Sequence, residues 1–295
     1  MNLKAKGITY AITGTMLWGM SGTVAQYIFT GYHVSPLWLV GVRLLSAGLL
    51  LLIWEFVTNG KQVFSVWRDR RNWMMLLIFA FLGMLPSQLT YFMAIKYGNA
   101  PTATVLQFLG PLFIIIYLTL MAKKLPRRID VISIVIALVG TYLLVTNGHL
   151  TSLALAPIAL FWGVLAGLSQ ASYTLLPRQL LTQFDAKAVV GWAMFLGGLP
   201  FTIMLGHQSM PNLDVTGGLW LLFIIVAGTM FAYLLYLQSI RYILPSVTGM
   251  LSAFEPLTAT VLSILFLNTP MTVVELVGGL LILATVFLQA LPTRN

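Results

Sequence analysis

The sequence predicts an all-α integral membrane protein of ten transmembrane helices, arranged as two inverted-topology repeats of five helices each. Two features of composition indicate a bilayer: hydrophobic residues make up 59% of the 295 residues, and charged residues make up only 8%. Ordinary soluble domains contain about 25% charged residues. The third observation is a duplication, which divides the chain into a first repeat, 1–150, and a second repeat, 151–295, of one structural unit.

Ten apolar runs are long enough to cross the hydrocarbon core, which takes about 20 helical residues. Turn residues separate them, such as residues 58–60 (TNG) and 146–148 (TNG). The first run follows Lys4 and Lys6 and is too long for a signal-peptide core, so it is predicted to be the first span. The predicted spans are 8–29, 36–57, 73–95, 101–121, 129–145, 153–176, 188–205, 219–240, 247–267 and 272–291.

The duplication is visible in short segments that recur in order. Residues 17–26 (LWGMSGTVAQ) return loosely as residues 161–170 (FWGVLAGLSQ), and residues 95–97 (IKY) return as residues 240–242 (IRY). The repeat relates Trp18 to Trp162, Gln26 to Gln170, Tyr91 to Tyr236 and Pro111 to Pro256.

Basic residues predict the orientation, because Lys and Arg in short loops stay on the cytoplasmic side. With an internal N-terminus, fourteen of them fall in cytoplasmic segments, and the outer loops contain only Lys96. Both termini are therefore predicted to be cytoplasmic. Three arginines lie at 68–71 after the second span, whereas the loop at 206–217 after the seventh has none. This opposite bias predicts inverted halves, which place a substrate site near the membrane midplane at their interface.

Several motifs accompany this five-plus-five arrangement: residues 17–19 (LWG), residues 94–97 (AIKY) and residues 254–257 (FEPL). Together they resemble the EamA-type branch of the drug/metabolite transporter superfamily. The resemblance implies a carrier of small metabolites in the bacterial cytoplasmic (inner) membrane, often an exporter of amino acids, with a central cavity lined by both halves. Members often end the fourth and ninth helices in a Leu-Gly-Glu-like motif, but this chain has AKK at 122–124 and LNT at 267–269.

Glu255 lies near the middle of the ninth span, where an ionised side chain costs about 2.5 to 3.5 kcal/mol. Pro256 is expected to kink the helix there and free the carbonyl of Ser252. Pro111 frees the carbonyl of Gln107 in the fourth span in the same way. Helices interrupted at matching positions are typical of transporter sites. We therefore predict Glu255 on the substrate or proton pathway, with a structural carboxylate, protonated or paired in the bundle, as the alternative.

Arg43 is the second deep charge and lies seven residues into the second span. It either extends to the interface, as long basic side chains do, or faces the cavity, where it neutralises Glu255 or binds a substrate carboxylate. Glu55 and Glu275 lie near helix ends and are predicted to be surface residues.

Aromatic and amide residues complete the predicted site. A mainly apolar pocket with few polar groups suits an amphiphilic or aromatic small molecule. Aromatic residues can instead belong to the interfacial belt, and amides can instead join helices. The candidates are Trp18, Trp162, Tyr91, Tyr236, Gln26, Gln170 and Gln107. Additional wall residues are Tyr173, Tyr233, Phe108 and Phe254, with Gln88 as a further amide.

The sequence lacks the residues that nucleotide hydrolysis, metal binding and disulfide formation require. There is no GxxxxGK[ST] loop for nucleotide hydrolysis, so we expect secondary transport without a cofactor. His33, His149 and His207 fall in predicted outer loops, and no acidic cluster is evident, so no metal site is predicted. The absence of cysteine excludes disulfides and thiolate ligands. The net charge of +9 lies almost wholly in cytoplasmic loops, so nucleic acid is not an expected partner.

These observations predict secondary transport of a small metabolite by alternating access, with an amino acid or another amphiphilic organic compound as substrate and export as a candidate direction. The expected partners are this substrate, the lipid bilayer and, as a hypothesis, protons; the oligomeric state is open. Two other classes stay open. One is a membrane enzyme acting on lipid-linked substrates, and the other is a scaffold or sensor, in which Glu255 and Arg43 could be replaced together without loss of function.

Overall fold

A computed structural model describes residues 3–123, 128–149, 154–207, 210–239, 242–243, 247–248 and 251–289. This part of the chain is almost entirely helical and contains no strand. Six of its helical runs are long and apolar enough to cross a membrane. They are Pro36–Arg68, Arg70–Tyr97, Ala100–Met121, Arg128–Thr146, Pro157–Gln183 and Val215–Ser239.

The α-helices are numbered in chain order. Before residue 150 they are α1 (Leu3–Gly31), α2 (Pro36–Asn59), α3 (Arg70–Phe79), α4 (Leu85–Tyr97), α5 (Ala100–Gln107), α6 (Gly110–Ala122) and α7 (Arg128–Thr146). After residue 150 they are α8 (Pro157–Leu175), α9 (Arg178–Gln183), α10 (Ala186–Gly198), α11 (Phe201–His207), α12 (Val215–Ile225), α13 (Ala232–Ser239), α14 (Phe254–Leu267) and α15 (Val273–Gln289). A 3-10 helix, Gly60–Arg68, follows α2.

Helices also occupy the other four predicted spans. Helix α1 contains 29 residues, so at 1.5 Å per residue its length is about 44 Å. The apolar helices α10, α14 and α15 are shorter. The chain is thus a helical membrane protein, as its composition predicts. Some predicted features, including the IRY motif at Ile240 and Arg241 and the basic residue Lys124, lie outside the described residues.

Two helices are interrupted at places that the prolines mark. Helix α5 ends before a turn at residues 108–109, and α6 begins with Pro111 in its first turn. A turn at residues 252–253 precedes α14, whose first turn contains Pro256. Proline has no backbone N–H to donate, and therefore suits the first turn of a helix and not its interior.

Two other helices contain a π-helical turn. Residues Ala80–Met84 join α3 to α4, and residues Val226–Phe231 join α12 to α13. Inside the second turn, the Thr229 hydroxyl donates to the carbonyl of Ile224 at 2.7 Å, five residues earlier. Turns of this kind are rare in proteins, and those that occur often lie at functional sites.

Close helix contacts define the arrangement of the bundle. Helix α1 packs against α13 and α14, helix α8 packs against α4, α5 and α6, helix α2 packs against α10, and α7 packs against α15. Glycines make these approaches possible, because a side chain at Gly19 would collide with the backbone of Glu255, and one at Gly163 would collide with Leu106. Gly140 and Gly278 face each other's carbonyl oxygens between α7 and α15.

The two ends of the bundle differ in packing. The term α5 end denotes the end of the bundle at which α1 terminates and α5 starts. The term α6 end denotes the opposite end, at which α6 terminates. Residues 100–106 of α5 are all buried, whereas no residue among 111–121 of α6 is buried. Helix α5 is therefore enclosed by other helices to a much greater extent than helix α6 is.

Candidate functional site

A small polar cavity lies between the long helices. The space that the centres of water molecules can occupy is about 50 Å³. One water needs about 10 to 15 Å³ by this measure, so the cavity holds a few waters and is too small for a metabolite in this conformation. Its lining residues are Trp18, Ser21, Arg43, Gln88, Tyr91, Gln107, Gln170, Tyr173, Tyr233 and Glu255.

The cavity brings together most of the residues predicted for the site. Trp18, Arg43, Tyr91, Gln107, Gln170 and Glu255 line it. Three predicted residues lie outside the lining. Tyr236 packs behind Trp18, with ring centroids 5.0 Å apart. The Trp162 ring packs beside Phe161, and its buried Nε1 has no hydrogen-bond partner among the described residues.

Gln26, the third predicted residue outside the cavity, lies at the α5 end. Its Nε2 donates to the Thr269 hydroxyl at 3.0 Å, and its Oε1 accepts from the Ala100 N–H at 2.7 Å. The side chain therefore joins α1 to the beginning of α5 and to the segment after α14. Gln26 has the structural role that amides between helices often have.

Glu255 is the acidic residue of the cavity and lies in the first turn of α14, next to the helix break. The side chain is half-buried. Its carboxylate accepts no hydrogen bond and forms no ion pair with the residues that the structure describes. A carboxylate with so little compensation deep in a membrane protein is costly, which favours a functional reason for its presence.

Arg43 is buried and does not reach the membrane surface, being 4% exposed. Its Nε donates to the Thr229 hydroxyl at 2.5 Å, and its Nη2 donates to the Gly228 carbonyl at 3.2 Å. The guanidinium also lies over the Phe92 ring, 4.8 Å from its centroid. Arg43 thus joins α2 to the second π turn, and within the described residues it forms no ion pair with Glu255.

Aromatic rings form one wall of the cavity. The centroids of Trp18 and Tyr233 are 4.9 Å apart, and those of Tyr173 and Tyr233 are 6.2 Å apart. The Tyr233 hydroxyl accepts from Gln88 Nε2 at 3.1 Å. The hydroxyl of Tyr91 is 3.1 Å from that of Thr104. These bonds fix the polar ends of the rings and leave their faces for apolar contact.

Two further polar groups complete the lining. Gln107 Nε2 donates to Gln170 Oε1 at 3.3 Å, across the break between α5 and α6. The Ser21 hydroxyl is buried and has no hydrogen-bond partner among the described residues. Sequence reasoning missed Ser21 because small residues in the LWGMSG segment indicate helix packing. It also missed Thr229, which the π turn directs towards Arg43.

Glu55 is buried, so the prediction that it lies at the surface is wrong. Its side chain is 2% exposed, and Lys187 Nζ lies 2.6 Å from its Oε2. Asn59 Nδ2 donates to the other carboxylate oxygen at 2.7 Å. The reason is the 3-10 segment after α2, which packs back on α2 and α10, with its Val63 carbonyl accepting from Trp192 Nε1 at 2.8 Å. A second cavity, of about 390 Å³, adjoins Lys187.

Glu275 lies at the start of α15, as predicted for a residue near a helix end, and its carboxylate accepts from the Thr272 N–H at 2.7 Å. Among the described residues, no group of three or more His, Asp or Glu side chains is arranged to bind a metal ion.

A hydrogen bond outside the membrane-spanning helices joins α1 to α12 at the α5 end. The Tyr32 hydroxyl donates to Asp214 Oδ1 at 2.7 Å, and the same oxygen accepts from the Gly217 N–H at 2.7 Å. These donors, Tyr32 first, lower the pKa of Asp214, because they favour its charged form. The pKa of Tyr32 is raised to about 12, chiefly by the same hydrogen bond.

A multi-pass helical membrane protein with a polar cavity beside broken helices has the architecture of a membrane transporter. Comparison with known families agrees with this class. The chain belongs to the EamA-like transporter family, whose sequence model matches residues 5–146 and 157–291. The resemblance seen in its motifs is thereby confirmed.

Curated relatives cover almost the whole chain. The uncharacterized inner membrane transporter YicL of Salmonella typhimurium is 38% identical over 297 residues, which cover 100% of this chain and 98% of the relative. The uncharacterized transporter YwfM of Bacillus subtilis is 25% identical, covering 97% of this chain and 94% of the relative. Protein PecM of Dickeya dadantii is 24% identical, covering 95% and 90%.

A solved crystal structure has the same fold. It superimposes with a TM-score of 0.64 and covers 97% of this chain and 96% of the other, at 15% sequence identity. The chain is therefore a multi-pass membrane protein of a transporter family with a fold known from experiment.

Proposed function

We propose that the protein is a secondary transporter that moves a small amphiphilic metabolite, such as an amino acid, across the bacterial inner membrane by alternating access. Its ten helices form two inverted repeats, 1–150 and 151–295, and both termini are cytoplasmic. The observation that carries this proposal is the polar cavity, which is lined by helices of both halves at the break preceding Glu255 and the break following Gln107.

The pattern of helix neighbours supports the two repeats. When each helix is exchanged for its counterpart in the other half, the packing of α1 on α13 and α14 becomes the packing of α8 on α4, α5 and α6. Helix α2 packs on its own counterpart α10, and α7 packs on its own counterpart α15, so the exchange leaves these two pairs unchanged. Gln88 and Tyr233 are 145 residues apart, the offset of the repeat, and they are hydrogen-bonded to each other. Such a pair is expected on the axis that relates two halves.

The distribution of basic residues supports the orientation. It makes the α6 end cytoplasmic and the α5 end external. In this conformation the external end is closed, because α5 is buried among α1, α4, α8 and α14. Opening towards the cytoplasm then requires movement of α6, which is packed less tightly. A small cavity between two such ends is consistent with a transporter that works by alternating access.

Glu255 is the group proposed to couple transport to protons. Its carboxylate has no hydrogen-bond or ion-pair partner among the described residues, and Arg43 is the more distant positive charge of the same cavity, so a proton or a substrate group is suited to bind there. Protonation of Glu255 therefore shifts the balance between the two conformations. If one conformation favours the protonated Glu255 carboxyl, protons move across the membrane together with the substrate or in the opposite direction.

The test is uptake into proteoliposomes of labelled amino acids, amines, nucleosides and aromatic compounds, with and without an imposed pH gradient. We expect the wild type to accumulate at least one compound in response to the gradient, and Glu255→Gln to lose this response. Glu275→Gln, the same change in the next helix along the chain, should retain the response to the gradient. Full gradient-driven transport by Glu255→Gln contradicts the role of Glu255, and no transport of any compound contradicts the proposed function.

A further inference from the structure

Two polar groups that line the cavity have no hydrogen-bond partner among the described residues: a carboxylate, which can only accept, and a hydroxyl, which can accept or donate. Among the described residues, the Glu255 carboxylate accepts no hydrogen bond and the Ser21 hydroxyl, which is 2% exposed, has no hydrogen-bond partner. Both lie on helices that touch, since Gly19 of α1 packs directly on the backbone of Glu255. Unpaired acceptors in a buried site favour a ligand that brings N–H donors.

Aromatic rings surround these acceptors. Trp18, Tyr91, Tyr173 and Tyr233 line the same cavity. A cation within about 6 Å of an aromatic face is attracted by the ring, and this attraction grows when water is excluded. A carboxylate together with several rings is therefore suited to a positively charged group on an apolar body.

Arg43 also lines the cavity, but most of its side-chain nitrogens donate hydrogen bonds to the protein. Its Nε and Nη2 are bonded to Thr229 and Gly228, and the guanidinium lies over Phe92. The first two contacts hold the guanidinium on the second π turn, and the third places it over a ring of α4, so two of its three nitrogens already donate to the protein. The amides Gln88, Gln107 and Gln170 are likewise bonded to other lining residues.

We propose that the substrates are organic amines, compounds whose single charge is an ammonium group, with this group beside Glu255 and Ser21. This inference rests on the proposed function and narrows its substrate from amphiphilic metabolites in general to amines without a carboxylate, which excludes amino acids. The ammonium neutralises Glu255 and donates to both acceptors, and the apolar body contacts Trp18 and the tyrosines. A proton and an amine then compete for the same carboxylate.

The experiment compares four compounds that share a phenylethyl group: 2-phenylethylamine, 2-phenylethanol, 3-phenylpropionate and phenylalanine. The readout is the thermal unfolding midpoint of the purified full chain at increasing ligand concentration, which measures binding without transport. We expect 2-phenylethylamine to raise the midpoint most. Its affinity should fall about tenfold or more in Glu255→Gln, because a hydrogen bond to a charged group is lost.

Glu275→Gln is the matched control and should keep the affinity of the wild type. Ser21→Ala removes one acceptor and should weaken amine binding by a smaller factor, which keeps the test decisive if Glu255→Gln does not fold. Stronger binding of phenylalanine or 3-phenylpropionate than of the amine overturns the inference, because Arg43 then holds a carboxylate. Equal binding of the alcohol, or no binding of the amine, also overturns it. Gradient-driven uptake of another compound class would leave the proposed function intact.

A second inference concerns the α5 end and depends on different residues. Gln26 bonds both the Ala100 N–H, at the start of α5, and the Thr269 hydroxyl, after α14. It thereby holds three segments together above the cavity with one side chain. We infer that this Gln26 clamp keeps the external side closed and must open for the cavity to face outwards.

The chain contains no cysteine, so a single introduced thiol reports access to the cavity. With Ser21→Cys as reporter, a membrane-impermeant maleimide is added to intact cells. Gln26→Leu keeps the size of the side chain and removes both bonds, so labelling should become about fivefold faster or more. Gln183→Leu, at the exposed end of α9, is the matched control and should not change the rate.

Thr269→Val removes one of the two bonds and should give a smaller increase. It also keeps the test valid if Gln26→Leu does not fold. Equal labelling rates in the Gln26→Leu and Gln183→Leu proteins overturn the clamp. Faster labelling only from the cytoplasmic face, measured in inverted vesicles, overturns it as well.

Discussion

Helices α5 and α6 belong to one predicted span, yet they differ in their surroundings. Every residue at 100–106 is buried, and no residue at 111–121 is. The break at residues 108–109 separates the two behaviours. The helix break therefore divides one predicted span into a segment that its neighbours enclose and a segment that keeps a free surface, and the two are expected to contribute very differently to stability.

The largest expected difference comes from one substitution made on both sides of the break. Leu106 in α5 is fully buried against Gly163 and Gly167, whereas Leu120 in α6 is 68% exposed. Leu106→Ala leaves a cavity and should lower the free energy of unfolding by about 2 to 5 kcal/mol. Leu120→Ala should change it by less than about 0.5 kcal/mol. Unfolding in mixed micelles by a graded denaturing detergent measures both.

The Leu120→Ala protein is the control for expression and micelle effects. Equal losses in the two variants would contradict the contrast between α5 and α6.

A smaller effect is expected for the ion pair that joins α2 and α10 at the α6 end. Glu55→Gln removes the charge opposite Lys187 and should lower the free energy of unfolding by about 1 to 3 kcal/mol, since a partly buried ammonium loses its charged partner. Lys187 is 18% exposed, so water offsets part of the loss. The same micelle titration measures it.

Glu275→Gln, near the surface at the start of α15, should have a smaller effect than Glu55→Gln. If both cost the same, the pair with Lys187 contributes little. In that case the α6 end would be loosely held at α2 and α10 as well as at α6, which sharpens its contrast with the α5 end.

The smallest effect is expected at the loop contact of the α5 end, and it depends on pH. The pKa of Asp214 is lowered, so its bond with Tyr32 stabilises the folded protein fully above the unfolded pKa of about 3.9. This stabilisation is lost as the pH falls through the lower folded pKa. The difference in thermal midpoint between wild type and Asp214→Asn should therefore be constant from neutral pH to about pH 5 and shrink below about pH 4.

Tyr32→Phe removes the same hydrogen bond from the other side and should show the same pH dependence. A difference that grows on acidification contradicts the assignment, because a group with a lowered pKa contributes less, not more, in acid.

The architecture could be predicted from sequence to a large extent, because hydropathy and basic residues act over whole helices. The membrane class and the family are confirmed, and the turns before Pro111 and Pro256 lie where proline chemistry requires them. The predicted inverted topology stays a prediction, which the neighbour pattern supports. These features depend on residue type and spacing, which a sequence displays directly.

The details of the site were less accessible. Arg43 bonds Thr229 instead of Glu255 because a π turn changes the direction of side chains, and no residue pattern in the sequence predicts that turn. Glu55 is buried because a 3-10 segment folds back over its helix end, which hydropathy does not report. Ser21 became a site candidate only when the structure showed it unpaired in the cavity.

The π turns have a consequence for how the cavity is built. Each residue of an α-helix advances the side chain by about 100° around the axis, so one additional residue in a turn rotates everything beyond it by that angle. In the helix that contains Gln88 and Tyr91, and in the one that contains Tyr233, this offset sets which face meets the cavity. Deleting a single residue from either turn would turn these side chains out of the cavity while preserving the length and hydropathy of a membrane span.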